Sequence, residues 1–220
     1  MIVMKRMPIS WTIGLFIITG VYFFSGMKTP VLSVIFIFFY AGKYISVKSY
    51  NNKIEKFEQQ LKMSKNLIHK VNLWKSIIKN ESNTEFVKYA WQQIKPEILL
   101  APLVPMSIDH PIVQNRICYY VCSVSILKQR ISNGAKYYDF KNAEPAKLYI
   151  FDNTIEWIAG GHGSISITNI IEVKTIDYKI VSVIQKSGNR SINFYSDEAC
   201  VIECLLHMVR LQNNTPLKTN

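Results

Sequence analysis

The sequence predicts a membrane α-hairpin joined to an α+β domain: two N-terminal transmembrane helices, a basic connecting helix, and a small antiparallel β-barrel capped by one helix. Three observations lead to this prediction. Two apolar runs stand near the N-terminus, a lysine-rich stretch without Gly or Pro follows, and short β-prone runs separated by turn sequences fill the C-terminal half. The predicted parts are the hairpin (1–47), a connecting region (48–111), the β domain with its C-terminal helix (112–212) and a flexible tail (213–220).

The composition and the charge distribution exclude several classes of protein. The 220 residues are 49% hydrophobic and 19% charged, which argues against intrinsic disorder and against a disulfide-stapled miniprotein. The net charge of +11 is uneven, because residues 1–80 carry twelve basic and two acidic side chains, whereas residues 81–220 carry fourteen and thirteen. Nucleic-acid-binding domains usually have a basic face or aromatic platforms. Since the folded part is nearly neutral, we exclude nucleic acid as a partner.

The N-terminal third contains two candidate membrane spans. Residues 7–27 include no charged side chain, and a second apolar run starts at Val31, beyond Lys28 and Pro30. Each run approaches the roughly 20 residues that a helix needs to cross the hydrocarbon core, and Lys43 in the second can extend to the headgroups. Basic residues flank the two outer ends, so the positive-inside rule places both termini in the cytoplasm. A cleaved signal peptide is the alternative, and the second apolar run argues against it.

A basic amphipathic helix is predicted over residues 48–79. Its apolar side chains recur in steps of three and four, and its lysines occupy the remaining positions. Candidate lipid or partner contacts in this stretch are Lys53, Lys56, Lys62 and Lys65. Three roles stay open: the helix lies on an anionic membrane surface, pairs with a second copy as a coiled coil to give a homo-oligomer through residues 48–79, or packs on its own domain.

A short helix and a proline-rich linker are predicted next. Ser82 and Glu85 have the spacing of a capping box, which predicts a helix that begins there and ends near Pro96. Prolines at 96, 102, 105 and 111 favour extended backbone after it, which predicts a linker packed against the domain, with a partner groove as the alternative.

Short β-prone runs then predict six or seven antiparallel strands. The predicted strands are Ile117–Leu127, Lys147–Phe151, Thr154–Ala159, Ser164–Thr168, Ile170–Ile176, Ile180–Gln185 and Arg190–Tyr195, with turns at 132–134, 152–153, 160–163 and 187–189. Residues 197–211 predict one helix that is apolar on most sides. Such strands closed by one helix are typical of a small barrel capped at one end.

The pattern of this region resembles the pleckstrin-homology-like superfamily, especially its bacterial and GRAM-type members. The resemblance rests on Ala146–Asn153, Ile155–Ile158, Ile165–Val173, the alternation in Ser191–Phe194 and the closing helix. It implies a scaffold that recognises lipid headgroups or protein segments, and no enzyme.

Phosphoinositide-binding members of that superfamily carry basic residues around the first hairpin. This chain has Lys128, Arg130 and Lys136 there, with Tyr138 where a second arginine would be expected. The resemblance therefore implies a lipid or partner contact at these three residues, and a solvated loop is the alternative.

No motif predicts a catalytic or cofactor site. The glycines at 160–163 precede a β-prone run, whereas a phosphate cradle requires a helix after it. Cys200, Cys204 and His207 share one face of the C-terminal helix, which makes a metal site the weaker alternative to core packing. We therefore expect no enzyme, no cofactor and no metal.

The layout of the whole chain resembles entry-exclusion proteins of conjugative plasmids. That resemblance implies a bacterial inner-membrane protein that blocks redundant plasmid transfer by recognising another membrane protein. The alternatives are a signal-gated membrane effector of a defence or toxin system, and a lipid-binding regulatory module.

Overall fold

The computed structural model describes residues 20, 30–108, 116–132, 135–186 and 191–214. Outside the described residues lie the first predicted span apart from Gly20, residues 133–134 and 187–190, residues 109–115 with the end of the predicted linker, and the tail from residue 215. The chain divides into two compact units, Met1–Met63 and Ser64–Asn220.

Apart from Gly20, the described part of the first unit is one long helix, α1 (Pro30–Met63). This helix runs through the predicted boundary between the second span and the basic region. Among the described residues, no helix offers the length and apolarity that crossing a membrane requires. The structure thus lends the predicted hairpin of residues 1–47 no support.

The basic region that was predicted as one helix over 48–79 is divided between α1 and a second helix, α2 (Leu67–Asn80). The cause is Asn66, whose backbone is extended and whose side chain accepts a hydrogen bond from the N–H of His69 at 2.9 Å. An Asn side chain that accepts a hydrogen bond from an otherwise unpaired N–H of the first helical turn acts as the N-cap of that helix. A local capping signal therefore interrupts the apolar stripe.

The stripe on α2 packs within the second unit. Val71, Trp74, Ile77 and Ile78 are buried, and the Trp74 ring lies 4.8 Å from that of Trp91, centroid to centroid. For α2, the structure thus favours the third of the predicted roles, packing on its own domain.

The third helix, α3 (Thr84–Leu99), is longer than predicted. Its N-cap is Asn83 in place of Ser82, because the Asn83 side chain accepts the N–H groups of Glu85 and Phe86. Pro96 lies inside the last turn and does not end the helix. The carbonyl of Pro96 instead accepts the N–H of Leu100 just beyond it.

Seven antiparallel strands form one open sheet in the order β4-β3-β2-β1-β7-β6-β5. Their bounds are β1 Cys118–Ser132, β2 Ala135–Phe151, β3 Thr154–Ile158, β4 His162–Ser166, β5 Ile170–Ile176, β6 Ile180–Gln185 and β7 Ser191–Tyr195. A 3₁₀ turn at Ile167–Asn169 joins the two edge strands β4 and β5 along the chain. The sheet has two edges, so the predicted closed barrel is corrected to an open sheet.

The final helix, α4 (Ala199–Asn214), packs on β5, β6 and α3. It brings Leu205 and Leu206 into a core that also holds Ile150, Ile155 and Phe194, all of them fully buried. Helix and strands thus bury their apolar faces against each other, which is the main stabilising contribution to such a domain.

A buried carboxylate just before α4 joins three elements. Glu198 accepts a hydrogen bond from the Lys75 ammonium of α2 at 2.6 Å and another from the Tyr120 hydroxyl of β1. The bond to Glu198 raises the pKa of Lys75 above its ordinary value, although partial burial opposes the rise. This network holds α2 against the sheet, because breaking it would leave a charge buried without a partner.

Candidate functional site

The first two strands extend beyond their neighbours as a two-stranded arm, whose described residues are 128–132 and 135–144. β1 pairs with β7 over Ser125–Leu127, and β2 pairs with β3 over Lys147–Ile150. Beyond these points, the described residues of β1 and β2 pair with each other, from Lys128↔Asp139 to Ser132↔Ala135. No neighbouring strand pairs with the arm in the described part of the chain, and most of its side chains are exposed on both faces, which explains why they show no apolar alternation.

The arm carries the three basic residues predicted as lipid or partner contacts, but it does not place them on one face. Arg130 lies opposite Tyr137, whereas Lys136 lies opposite Ile131 on the other face. Because side chains alternate along a strand, Lys128 shares the face of Arg130. The register of the two strands, which the sequence did not reveal, decides this division.

The charges on the arm are partly compensated. The Arg130 Nε donates a hydrogen bond to Asp139 Oδ2 at 2.6 Å. Hydrogen bonds from Asn142 and then from Arg130 lower the pKa of Asp139. Lys128 and Lys136, in contrast, make no hydrogen bond or ion pair with the described residues. Lys141, which is also exposed, makes none either with those residues, so the arm keeps three exposed ammonium groups available.

Exposed apolar side chains accompany these cations. Ile131, Tyr137 and Phe140 are all exposed. Phe140 lies in a bulge of β2. The pairing changes from Ile126↔Glu144 to Lys128↔Asp139, so residues 140–143 of β2 stand opposite one residue of β1. The Phe140 ring meets that of Tyr195 edge-on, with the centroids 5.5 Å apart. Sequence reasoning missed these residues, although aromatic and basic side chains interleaved in one segment were a usable signal.

A second feature is an apolar groove of about 680 Å³ in the second unit. One wall consists of the residues that lead into α2 and its first turn, from Lys65 to Lys70. The other wall is the end of α3 and the segment after it, up to Met106. Tyr119 and Tyr120 of β1 complete the lining. The predicted contact residue Lys65 belongs to this groove.

The remaining predicted contacts, Lys53, Lys56 and Lys62, are exposed on α1 and belong to the first unit. Lys65, Lys128, Arg130 and Lys136 belong to the second unit. The structure therefore assigns the predicted contacts to three separate features: α1, the groove and the arm.

The alternative metal site on α4 is not assembled. Cys200 and Cys204 are buried, whereas His207 is exposed. Burial raises the pKa of both thiols, that of Cys204 to about 12, as expected for cysteines that pack in the core. Within the described ranges, no group of three or more His, Cys, Asp or Glu side chains is arranged to hold a metal ion.

A buried carboxylate on β3 has two cationic or titratable neighbours. Glu156 accepts a hydrogen bond from the Arg116 guanidinium, and its second oxygen lies 3.0 Å from Nε2 of His162. Arg116 also stacks over the Phe151 ring, 4.2 Å from its centroid. These contacts tie the segment before β1 to the β3–β4 hairpin, so the cluster has an evident structural role.

Comparisons with known proteins assign no family. No family model matches the chain, and neither does any curated protein. Among solved structures, the chain is similar to the N-terminally truncated linker-DH/PH domains of p115-RhoGEF, with a TM-score of 0.35 and 11% identity. The match covers 68% of this chain and 55% of that one, so this chain spans little more than half of that structure.

Proposed function

We propose that this chain is a non-enzymatic recognition protein whose β domain contacts an anionic membrane surface through the arm. The observation that carries the proposal is the composition of the arm, where unpaired ammonium groups and exposed apolar side chains occur together. The open antiparallel sheet followed by one helix is compatible with the pleckstrin-homology-like scaffold that the sequence resembles. Scaffolds of that kind serve recognition.

Two physical effects favour a membrane as the surface that the arm contacts. Each Lys near an anionic leaflet contributes about 1 kcal/mol of attraction. Aromatic and aliphatic side chains at the headgroup level add a favourable transfer of apolar surface. Lys136 lies near the end of the arm, opposite Ile131, whereas Lys128 lies nearer the sheet, opposite Asp139. Because the two cations lie on opposite faces, the arm would enter the headgroup layer along its length, with phosphate groups on both sides.

A fluorescent label on the arm tests this proposal. The four native cysteines are buried, so an Ile131→Cys variant of the full chain can be labelled selectively with an environment-sensitive dye. We expect the emission to shift to shorter wavelength with vesicles that contain phosphatidylglycerol, and not with phosphatidylcholine alone. Added salt should reduce the shift, because it screens exposed charges.

Matched variants identify the cause of the shift. Replacing Lys128 and Lys136 together by Gln should weaken it strongly, whereas Lys174→Gln, at an exposed position of β5, should leave it unchanged. An equal shift with neutral vesicles, or a full shift in the double variant, would contradict membrane recognition by the arm. A shift produced by a protein partner in place of lipid would point to protein recognition instead.

Entry exclusion at a bacterial inner membrane is a narrower proposal. It rests on the layout of the whole chain that the sequence predicts, in which a basic segment joins two apolar runs to a recognition domain. The inner-membrane location and the recognition of another membrane protein belong to the same proposal.

A further inference from the structure

We propose that the apolar groove binds one long-chain fatty acid, with the hydrocarbon chain along the groove and the carboxylate at Lys65. This proposal goes beyond membrane recognition by the arm and does not depend on it. No part of the arm lines the groove.

The lining of the groove concentrates apolar side chains that the fold leaves uncovered. Ile68 is 61% exposed, Leu100 82% and Val104 63%, and all three line the same groove. Single exposed apolar residues are ordinary on a protein surface, but several that face one concave site mark a binding surface. A volume of about 680 Å³ lies within the range of small-molecule sites.

The charges at the groove fit a ligand with one negative group. Lys70 forms an ion pair with Glu97 at 2.8 Å, so these two charges compensate each other. Lys65 is exposed and makes no hydrogen bond or ion pair within the described part of the chain. An apolar body with a single anionic end is therefore complementary to the lining.

The backbone of the groove favours a hydrocarbon chain over a peptide segment. The N–H groups of Leu100 and Ala101 donate to carbonyls in the last turn of α3, and the N–H of Met106 donates to β1. Pro102 and Pro105 have no N–H to offer. A peptide that entered would find few donors for its own backbone carbonyls, and an unmade hydrogen bond is costly. An acyl chain has no polar groups to satisfy.

Energy transfer to a fluorescent fatty acid tests the proposal. The full-length protein in phosphatidylcholine nanodiscs is titrated with cis-parinaric acid, and its emission is recorded on excitation of the protein tryptophans, with empty nanodiscs as the blank. Trp74 of α2 and Trp91 of α3 serve as donors in the two helices that supply the walls. We expect saturable binding of one probe per chain, displaced by oleate and far less by the corresponding alcohol.

Paired variants separate the groove from the lipid around it. Lys65→Gln should weaken probe binding by about three- to fivefold, the range of an exposed ion pair. Leu100→Glu should weaken probe binding about tenfold or more, because it places a charge where the hydrocarbon chain of the ligand would lie. Lys79→Gln, at an exposed position near the end of α2, and Leu99→Glu, outside the lining, are the controls and should bind as the wild type does.

Three outcomes would overturn the proposal. The first is transfer that does not saturate, and the second is equal weakening in the variants and their controls. The third is that phosphatidylglycerol vesicles displace the probe as effectively as oleate does. The ligand of the groove would then be a bilayer lipid and not a fatty acid. All four substitutions are at exposed or half-exposed positions, and unchanged thermal unfolding would confirm that the variants fold.

Discussion

At the residue scale, Glu156 is the clearest case of a charge that depends on its neighbours. It is 5% exposed. Burial raises its pKa, but the hydrogen bonds from Arg116 and His162 outweigh that effect, so the pKa lies below its ordinary value of 4.5. Since the pKa is lower in the folded state than in the unfolded state, the ionised carboxylate stabilises the fold above pH 4.5. That contribution is lost as the pH falls through the folded-state pKa.

We predict that Glu156→Gln lowers the free energy of unfolding at neutral pH by about 1–3 kcal/mol, the cost of weakening a buried, charged hydrogen-bond partner. The variant should also lose less stability than the wild type when the pH is lowered below 4.5. Urea unfolding at neutral and acidic pH measures both effects. Glu172→Gln, at an exposed position of β5, is the control and should change neither. An unaltered acid dependence in Glu156→Gln would show that other groups cause it.

At the scale of single elements, the β3–β4 hairpin depends on a glycine. Gly163 lies opposite Trp157 in the register of the two strands. A Cβ at position 163 would overlap the indole ring of Trp157. That ring in turn meets Phe194 of β7 edge-on, with the centroids 5.6 Å apart. The glycine therefore allows an aromatic contact that joins the hairpin to the centre of the sheet.

We predict that Gly163→Ala lowers the free energy of unfolding by about 1–3 kcal/mol, as expected for an overpacked site. The emission of Trp157 should also change, because the ring must move. Thermal unfolding and tryptophan fluorescence measure these effects. Gly161→Ala, in the turn of the same hairpin, is the matched control, since nothing lies within 4 Å of its added Cβ. Equal stability of the two variants would mean that the hairpin accommodates the methyl group without cost.

The first half of β2, which belongs to the arm, was not predicted from the sequence. Sequence patterns predicted a turn at 132–134 and a separate strand from Lys147, whereas β2 is continuous from Ala135 to Phe151. A strand reveals itself by alternation when one of its faces is buried. Both faces of the arm are exposed, so this signal was absent where β2 begins and present where the strand enters the core.

At the scale of the whole molecule, the two compact units allow a test of entry exclusion. Recipient cells expressing the full chain should show a sharp fall in the transfer of one type of conjugative plasmid, with viability intact. Residues 64–220 alone, which form the second unit, should not cause this fall, because the predicted hairpin would be missing. Transfer frequency across a panel of plasmids is the measurement.

The same assay distinguishes the alternative functions. Unchanged transfer across the whole panel would contradict exclusion. Death of cells that express the full chain would favour a membrane effector of a defence or toxin system. Lys128→Gln combined with Lys136→Gln should weaken exclusion if the arm is the recognition surface, and Lys174→Gln serves as the control.

Elements whose signals are local could be predicted from the sequence. Strands β5 and β6 have the predicted bounds, and β3 and α4 differ from the prediction by only a few residues. In each of these cases the apolar pattern faces one core, and turn-forming residues stand beside it. The positions of Lys65, Lys128, Arg130 and Lys136 outside the core likewise followed from their charge.

Which of these residues lie together depends on the three-dimensional fold. The register between β1 and β2 places Lys128 and Lys136 on opposite faces of the arm. A shift of this register by one residue would place both lysines on the same face. The groove combines Lys65, Leu100 and Tyr119, which lie far apart along the chain. Helix packing brings them together, and it depends on long-range contacts such as the bond between Lys75 and Glu198, which no local pattern encodes.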